Sequence, residues 1–104
     1  MEAYIIKGYR SAITKSKKGS FKNFRSDDLS VIVIKHLLKQ FPEINPKLVD
    51  DVIVGCANPE GEQGLQIGRL ISSRALGIDV PGMTINRYCA SGLEAISMAV
   101  SKIR

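Results

Sequence analysis

Met83-Thr84-Ile85-Asn86-Arg87-Tyr88 reads as a strand, and Leu93, Ile96, Ala99, Val100 and Ile103 after it recur at helical spacing. Between them lies Cys89-Ala90-Ser91-Gly92, a cysteine and three small residues at a strand-to-helix turn. Working upstream, Pro81 and Gly77 punctuate the chain, and Gly77 suits the left-handed cap that ends a helix. Leu65, Ile67, Leu70, Ile71 and Ala75 before it form an amphipathic helical pattern, entered from the loop Asn58-Pro59-Glu60-Gly61-Glu62. Val52-Ile53-Val54-Gly55-Cys56 is a short apolar run suited to a strand buried on both faces. Further back, Ser26-Asp27-Asp28 puts acids in a first helical turn, and Leu29, Ile32, Val33 and Leu37 continue a helix that ends before Pro42. Tyr4-Ile5-Ile6-Lys7-Gly8-Tyr9 is β-branched and aromatic, a first strand followed by a long loop to Arg25. The order β-α-β-α-β-α places the chain in the α/β class, with a parallel or mostly parallel sheet of three strands and right-handed crossovers.

The chain has 104 residues, 44% hydrophobic and 24% charged, which fits one globular domain and excludes disordered and low-complexity classes. Residues 1–104 show no repeat and no internal boundary. The closing helix runs to Arg104 without a terminating signal, so the sequence is expected to be one part of a longer domain. Its longest apolar runs, such as Val31-Ile32-Val33-Ile34, fall far short of the roughly 18 residues that span a bilayer. With Glu2 and no long apolar segment at the start, the expected location is cytoplasmic, or an organelle matrix.

The net charge of +5 is local: residues 1–26 hold seven of the 15 basic residues and one of the 10 acids. A nucleic-acid partner would need a recognition motif beside Lys15, Lys17, Lys18 and Lys22, and none accompanies them; a solvated basic loop is the expectation. Cys56 and Cys89 share no CxxC, which favours free thiols over a disulfide frame. No Cys/His/Asp cluster has zinc spacing, and Gly61, Gly64 and Gly68 do not form a phosphate-binding fingerprint.

Cys89 is the candidate nucleophile. The start of a helix offers unpaired N–H groups and a positive dipole end, which favour an anionic nucleophile and an oxyanion together. Ala90, Ser91 and Gly92 leave room for a substrate carbonyl to reach the backbone. A buried, inert thiol is the competing reading, and position alone leaves both open. His36, the sole histidine, falls within the first helix, and Cys56 closes an apolar strand where packing suffices to explain it. Glu60, Glu62 and Glu94 are read as solvated.

The run from Asn86 to Ile96 resembles the nucleophile motif of thiolases, the acetyl-CoA acetyltransferase and 3-ketoacyl-CoA thiolase group. Ala3 to Ala12 is similar to the first thiolase strand, Ser26 to Leu29 to the start of its first helix, Val49 to Cys56 to its second strand, and Gly64 to Arg69 to the start of its second helix. Gly68 stands where the family often has alanine. The resemblance implies a thiolase-like fold, with residues 1–104 an incomplete N-terminal domain. It implies acyl transfer between coenzyme A thioesters, with Cys89 as the acyl-accepting thiol and its N–H in an oxyanion hole. It further implies an activating histidine and a second cysteine from the family's C-terminal half, coenzyme A as substrate with no bound cofactor or metal, and a homodimer or homotetramer. Two alternatives stay open: another condensing enzyme of the same fold, ketoacyl synthase-like or a sterol-carrier-type thiolase, and a non-catalytic structural fragment.

Overall fold

A computed structural model describes residues 1–104. Helix α1 spans Ser26–Lys39, strand β1 Val52–Gly55, helix α2 Ile67–Ala75, strand β2 Gly82–Ile85 and helix α3 Ser91–Ile103, with short 3-10 turns at Pro46–Leu48 and Gly61–Gln63. The strands pair in parallel, Val52 opposite Gly82 through Gly55 opposite Ile85, and α2 is the crossover between them. A parallel pair needs such a helical connection, and the sequence supplies it between two β-branched runs. Helix α2 packs on α1 and on both strands, while α3 packs chiefly on β1.

The sheet has two strands, not the three expected. Tyr4 to Tyr9 joins no ladder, and Tyr4, Ile5 and Ile6 lie exposed. β-propensity describes a side-chain set that suits a half-buried pleated surface, and becomes a strand only where a neighbour supplies hydrogen bonds. Val52–Gly55 and Gly82–Ile85 pair only with each other. Tyr9 is held elsewhere, its ring edge-on to His36 of α1 at 4.7 Å with the Lys7 ammonium 5.5 Å from its centroid. A second correction concerns β1: Val52, Ile53 and Val54 are half-buried and Gly55 is exposed, rather than covered on both faces.

The core is small and lies along α2. Ile67 and Ile71 project from it with Val31 of α1 and Cys56 as buried neighbours, and Val80 is fully buried just before β2. Each such aliphatic side chain contributes about 2 kcal/mol on burial. The turn from α2 to β2 is fastened by α2 itself. Ser72 Oγ donates to the carbonyls of Val80 and Pro81 at 2.6 and 3.0 Å, and Arg69 donates to those of Val80 and Ile78 at 2.6 and 2.9 Å. Gly77, with φ of 113°, ends α2 as expected, its N–H reaching the Ser73 carbonyl at 3.2 Å. On α3, by contrast, Leu93, Ile96 and Ile103 keep much of their surface in solvent.

Helix α1 starts at Ser26, but no side chain of its own caps it. Glu62, read from sequence as solvated, does so from 36 residues away, accepting from the Ser26 N–H at 3.1 Å. Asp27 is buried and takes a two-pronged bond from Arg25 at 3.0 and 3.2 Å and a third from Arg74 of α2 at 3.0 Å. The bonded Arg25 guanidinium holds the Asp27 carboxyl below its ordinary range, against the desolvation that would raise it. A carboxylate with a depressed folded pKa adds stability above its unfolded pKa, near 4, and loses it as pH falls through the folded value. Asp27→Asn should therefore lower the denaturation midpoint at pH 7 by the equivalent of about 2 kcal/mol. The gap between variant and parent should begin to narrow as pH falls below about 4 and go on shrinking as Asp27 is protonated in the folded state. Urea melts from pH 7 down to pH 3 check this; a gap that does not narrow at all over that range would assign the loss to packing instead.

Candidate active site

Cys89 sits where the sequence placed it, in the turn from β2 to α3, and its side chain is exposed. The turn is built by its neighbours. Tyr88 takes a left-handed backbone, φ 48°, which costs a bulky residue of order 1 kcal/mol and persists only when over-determined. Here Asn86 Oδ1 accepts from the Tyr88 N–H at 2.9 Å, and Ser91 Oγ donates to the Tyr88 carbonyl at 2.7 Å. The same Ser91 Oγ accepts from the Arg87 N–H at 2.8 Å. Ser91 is buried, so one hydroxyl ties both ends of the reversal that displays Cys89.

Gly55 lets α3 come this close to the sheet. A Cβ there would lie 2.5 Å from the Ser91 carbonyl carbon and 2.8 Å from the Gly92 nitrogen, both backbone atoms with no freedom to move aside. Sequence reasoning missed Gly55, and took Ser91 only for a small residue. The cue was the Gly-Cys that closes an apolar strand, a common sign of close backbone approach.

Electrostatics at the turn follow from unsatisfied donors. The N–H of Ala90 reaches the Arg87 carbonyl and that of Ser91 the Tyr88 carbonyl, whereas those of Cys89, Gly92 and Leu93 have no acceptor in the chain. Three N–H groups without an acceptor thus lie at the positive end of a helix of 13 residues, one of them belonging to the cysteine itself, an environment that favours negative charge. Arg87 is neutralised by Glu94 at 2.9 Å, so Glu94 is paired rather than free.

The other candidates lie apart from this turn. Cys56 is buried in the core, its Sγ donating to Gln63 Oε1 at 3.4 Å. His36 is exposed near the end of α1 and engaged with Tyr9. Glu60 is exposed on the loop after β1, and Glu62 caps α1. An open groove of about 440 Å³ between α1, β1 and α3 includes Gly92 in its lining, while Cys89 stands outside it.

The structure defines a class in outline, a parallel α/β unit with an exposed cysteine at the head of a helix. The family described as "Thiolase, N-terminal domain" matches residues 3–104, and the chain belongs to the thiolase family as a part of that domain. It is 47% identical over 103 residues to the 3-ketoacyl-CoA thiolase of Bacillus subtilis (strain 168), covering 98% of this chain and 26% of that protein. It is 41% identical to the beta-ketoadipyl-CoA thiolase of Acinetobacter baylyi, covering 98% and 25%. To the 3-oxoadipyl-CoA/3-oxo-5,6-dehydrosuberyl-CoA thiolase of Escherichia coli (strain K12) it is 39% identical, covering 99% and 26%. The chain thus spans about a quarter of the length of the curated relatives it matches. No helix is long and apolar enough to cross a membrane.

Proposed function

We propose that the protein carrying this chain transfers acyl groups between coenzyme A thioesters, with Cys89 as the residue that takes the acyl group. The single observation behind this is the exposed thiol at the head of α3 whose own N–H has no acceptor in the chain. In the cleaving direction the Cys89 sulfur attacks the C3 carbonyl of a 3-ketoacyl-CoA. Oxygen takes the negative charge, and in this reading the free N–H of Cys89 donates to it. Collapse breaks the C2–C3 bond. The electron pair leaves on C2 as the enolate of acetyl-CoA, which takes a proton, and the shortened acyl group stays on sulfur as a thioester. The thiol of free coenzyme A then attacks that thioester, its proton passes to a base, and the Cys89 thiolate leaves. Two moderate barriers replace one high one, with ping-pong kinetics.

The base and the acid in this scheme are the histidine and second cysteine that the family resemblance implies from outside residues 1–104. His36 and Cys56 do not fill those roles, being engaged elsewhere. Coenzyme A enters as a substrate. The relatives' names differ in the acyl tail, from plain 3-ketoacyl to ketoadipyl, so the proposal covers 3-ketoacyl thioesters as a class. A soluble cytoplasmic or organelle-matrix dimer or tetramer belongs to the same reading.

The test uses both cysteines. Iodoacetamide at neutral pH is expected to alkylate Cys89 well before Cys56, because the second is buried. Prior incubation of the whole protein with a 3-ketoacyl-CoA, without free coenzyme A, should block that alkylation and leave an acyl mass on the Cys89 peptide. Unimpeded alkylation with no acyl adduct would remove the proposal.

A further inference from the structure

The peptide unit between Tyr88 and Cys89 holds two groups of the turn, the Tyr88 carbonyl and the Cys89 N–H. The chain has no cis peptide bond, so this unit is planar and trans, and its carbonyl and N–H point in opposite directions. Whatever fixes one therefore fixes the other. The Tyr88 carbonyl is fixed twice by a single residue, accepting from Ser91 Oγ at 2.7 Å and from the Ser91 N–H at 3.1 Å. The Cys89 N–H is thereby turned away from the buried Ser91.

The Ser91 hydroxyl has one arrangement open to it. Its oxygen accepts from the Arg87 N–H at 2.8 Å, a group that can only donate, which leaves its single proton for the Tyr88 carbonyl. Ser91 is 4% exposed, and its backbone is set against β1: a Cβ on Gly55 would stand 2.6 Å from the Ser91 carbonyl oxygen. Strand, hydroxyl, Tyr88 carbonyl and Cys89 N–H thus form one continuous run of contacts. It holds against the preference of the backbone. Tyr88 keeps a φ of 48°, a left-handed value that a bulky residue leaves unless its surroundings retain it. Asn86 Oδ1, 2.9 Å from the Tyr88 N–H, retains it on one side and Ser91 on the other.

We propose that Ser91 is a positioning residue for acyl transfer: acting through the Tyr88 carbonyl, its hydroxyl aims the Cys89 N–H at the oxygen that turns negative when the thiol attacks. This rests on the acyl-transfer reading above. Without the hydroxyl, the Arg87 N–H loses its acceptor and the Tyr88 carbonyl the shorter of its two bonds. Tyr88 then relaxes toward ordinary backbone and rotates the peptide that carries the donor. The thiol stays exposed, but the N–H no longer meets the developing charge.

The whole protein, well below its unfolding midpoint, is mixed with acetoacetyl-CoA without free coenzyme A, and the acyl mass on the Cys89 peptide is followed in time. Ser91→Ala should slow acylation about thirtyfold, and in steady state the loss should fall on kcat with KM within about twofold of the parent's. Alkylation by iodoacetamide forms no oxyanion and should slow by no more than about threefold. Glycine adopts a left-handed backbone without penalty, so on a Tyr88→Gly background the same Ser91→Ala change should cost about threefold or less. Should Ser91→Ala not fold, the same comparison on Asn86→Ala decides, since it removes the other bond that retains Tyr88 from an exposed position. Acylation at the parent's rate by the folded variant would overturn the proposal. So would equal slowing of acylation and alkylation, or an equal loss on the tyrosine and glycine backgrounds, which would reduce the hydroxyl to packing. Absence of any acyl adduct on the parent protein would overturn the acyl-transfer reading, and this inference with it.

Discussion

If Cys89 takes the acyl group as proposed, Cys89→Ala is expected to lower turnover of 3-ketoacyl-CoA by about four to six orders of magnitude and to remove the acyl-enzyme, because the variant lacks the sulfur that carries it. The fold should not notice. The side chain is exposed, and the hydrogen bonds that shape the turn run through Asn86, Tyr88 and Ser91, none through the sulfur. Circular dichroism and the thermal midpoint should match the parent, a separation that distinguishes a chemical role from a structural one. Cys56→Ala should invert the pattern. That thiol is buried beside Ile67 and Ile71, so its removal should cost stability while an acyl adduct still forms. An acyl mass retained on the Cys89→Ala protein, or equal loss of adduct from both variants, would end the nucleophile assignment.

Why part of this arrangement was legible in the sequence, and part not, follows from the range of the forces involved. Helices α1, α2 and α3 announce themselves through apolar residues three and four apart, and β1 and β2 through short β-branched runs. Cys89 was legible because a strand, a small-residue turn and a helix follow one another in the chain. The Tyr4 to Tyr9 segment misled because its pattern is local while a strand is not. Glu62 could not be read as a cap, since the helix it serves begins 36 residues earlier. Leu65 fits a helical stripe by spacing, whereas it precedes α2 with a left-handed backbone, for which leucine carries no signal, so its position emerges only once Thr84 and Ser26 are in place. Ser91 and Gly55 belong to the same group: their work is an approach of backbones that only the folded chain contains.

Gly68→Ala should be costly in this chain, even though the thiolase pattern often has alanine at this position, because here α2 and β2 meet too closely for the methyl. A Cβ at this position would lie 2.1 Å from the Met83 carbonyl oxygen and 2.4 Å from its carbon, and across the seam a Cβ on Gly82 would lie 2.5 Å from the Gly68 carbonyl oxygen. These are backbone atoms of α2 and β2 meeting with no side chain between them, so no rotamer change relieves the clash. The helix must stand off from the strand by of order 1 Å to restore ordinary contact. That displacement stretches the Ser72 hydroxyl bonds to Val80 and Pro81 and loosens Ile71 and Val80, the best-buried apolar side chains present. A cost of about 3 kcal/mol or more follows, at the upper end for overpacking. Gly8→Ala is the control, since nothing lies within 4 Å of its Cβ, and it should shift the midpoint by no more than about 0.5 kcal/mol. The urea midpoint of the whole protein, followed by the fluorescence of the chain's tyrosines or by activity, reads both. Thr84 binds the Gly68 N–H and, through its own N–H, Gln66, so a helix pushed off this strand carries the Leu65 loop with it. A parent-like midpoint would show that β2 yields to the methyl and that the glycine seam is not what sets the distance between helix and strand.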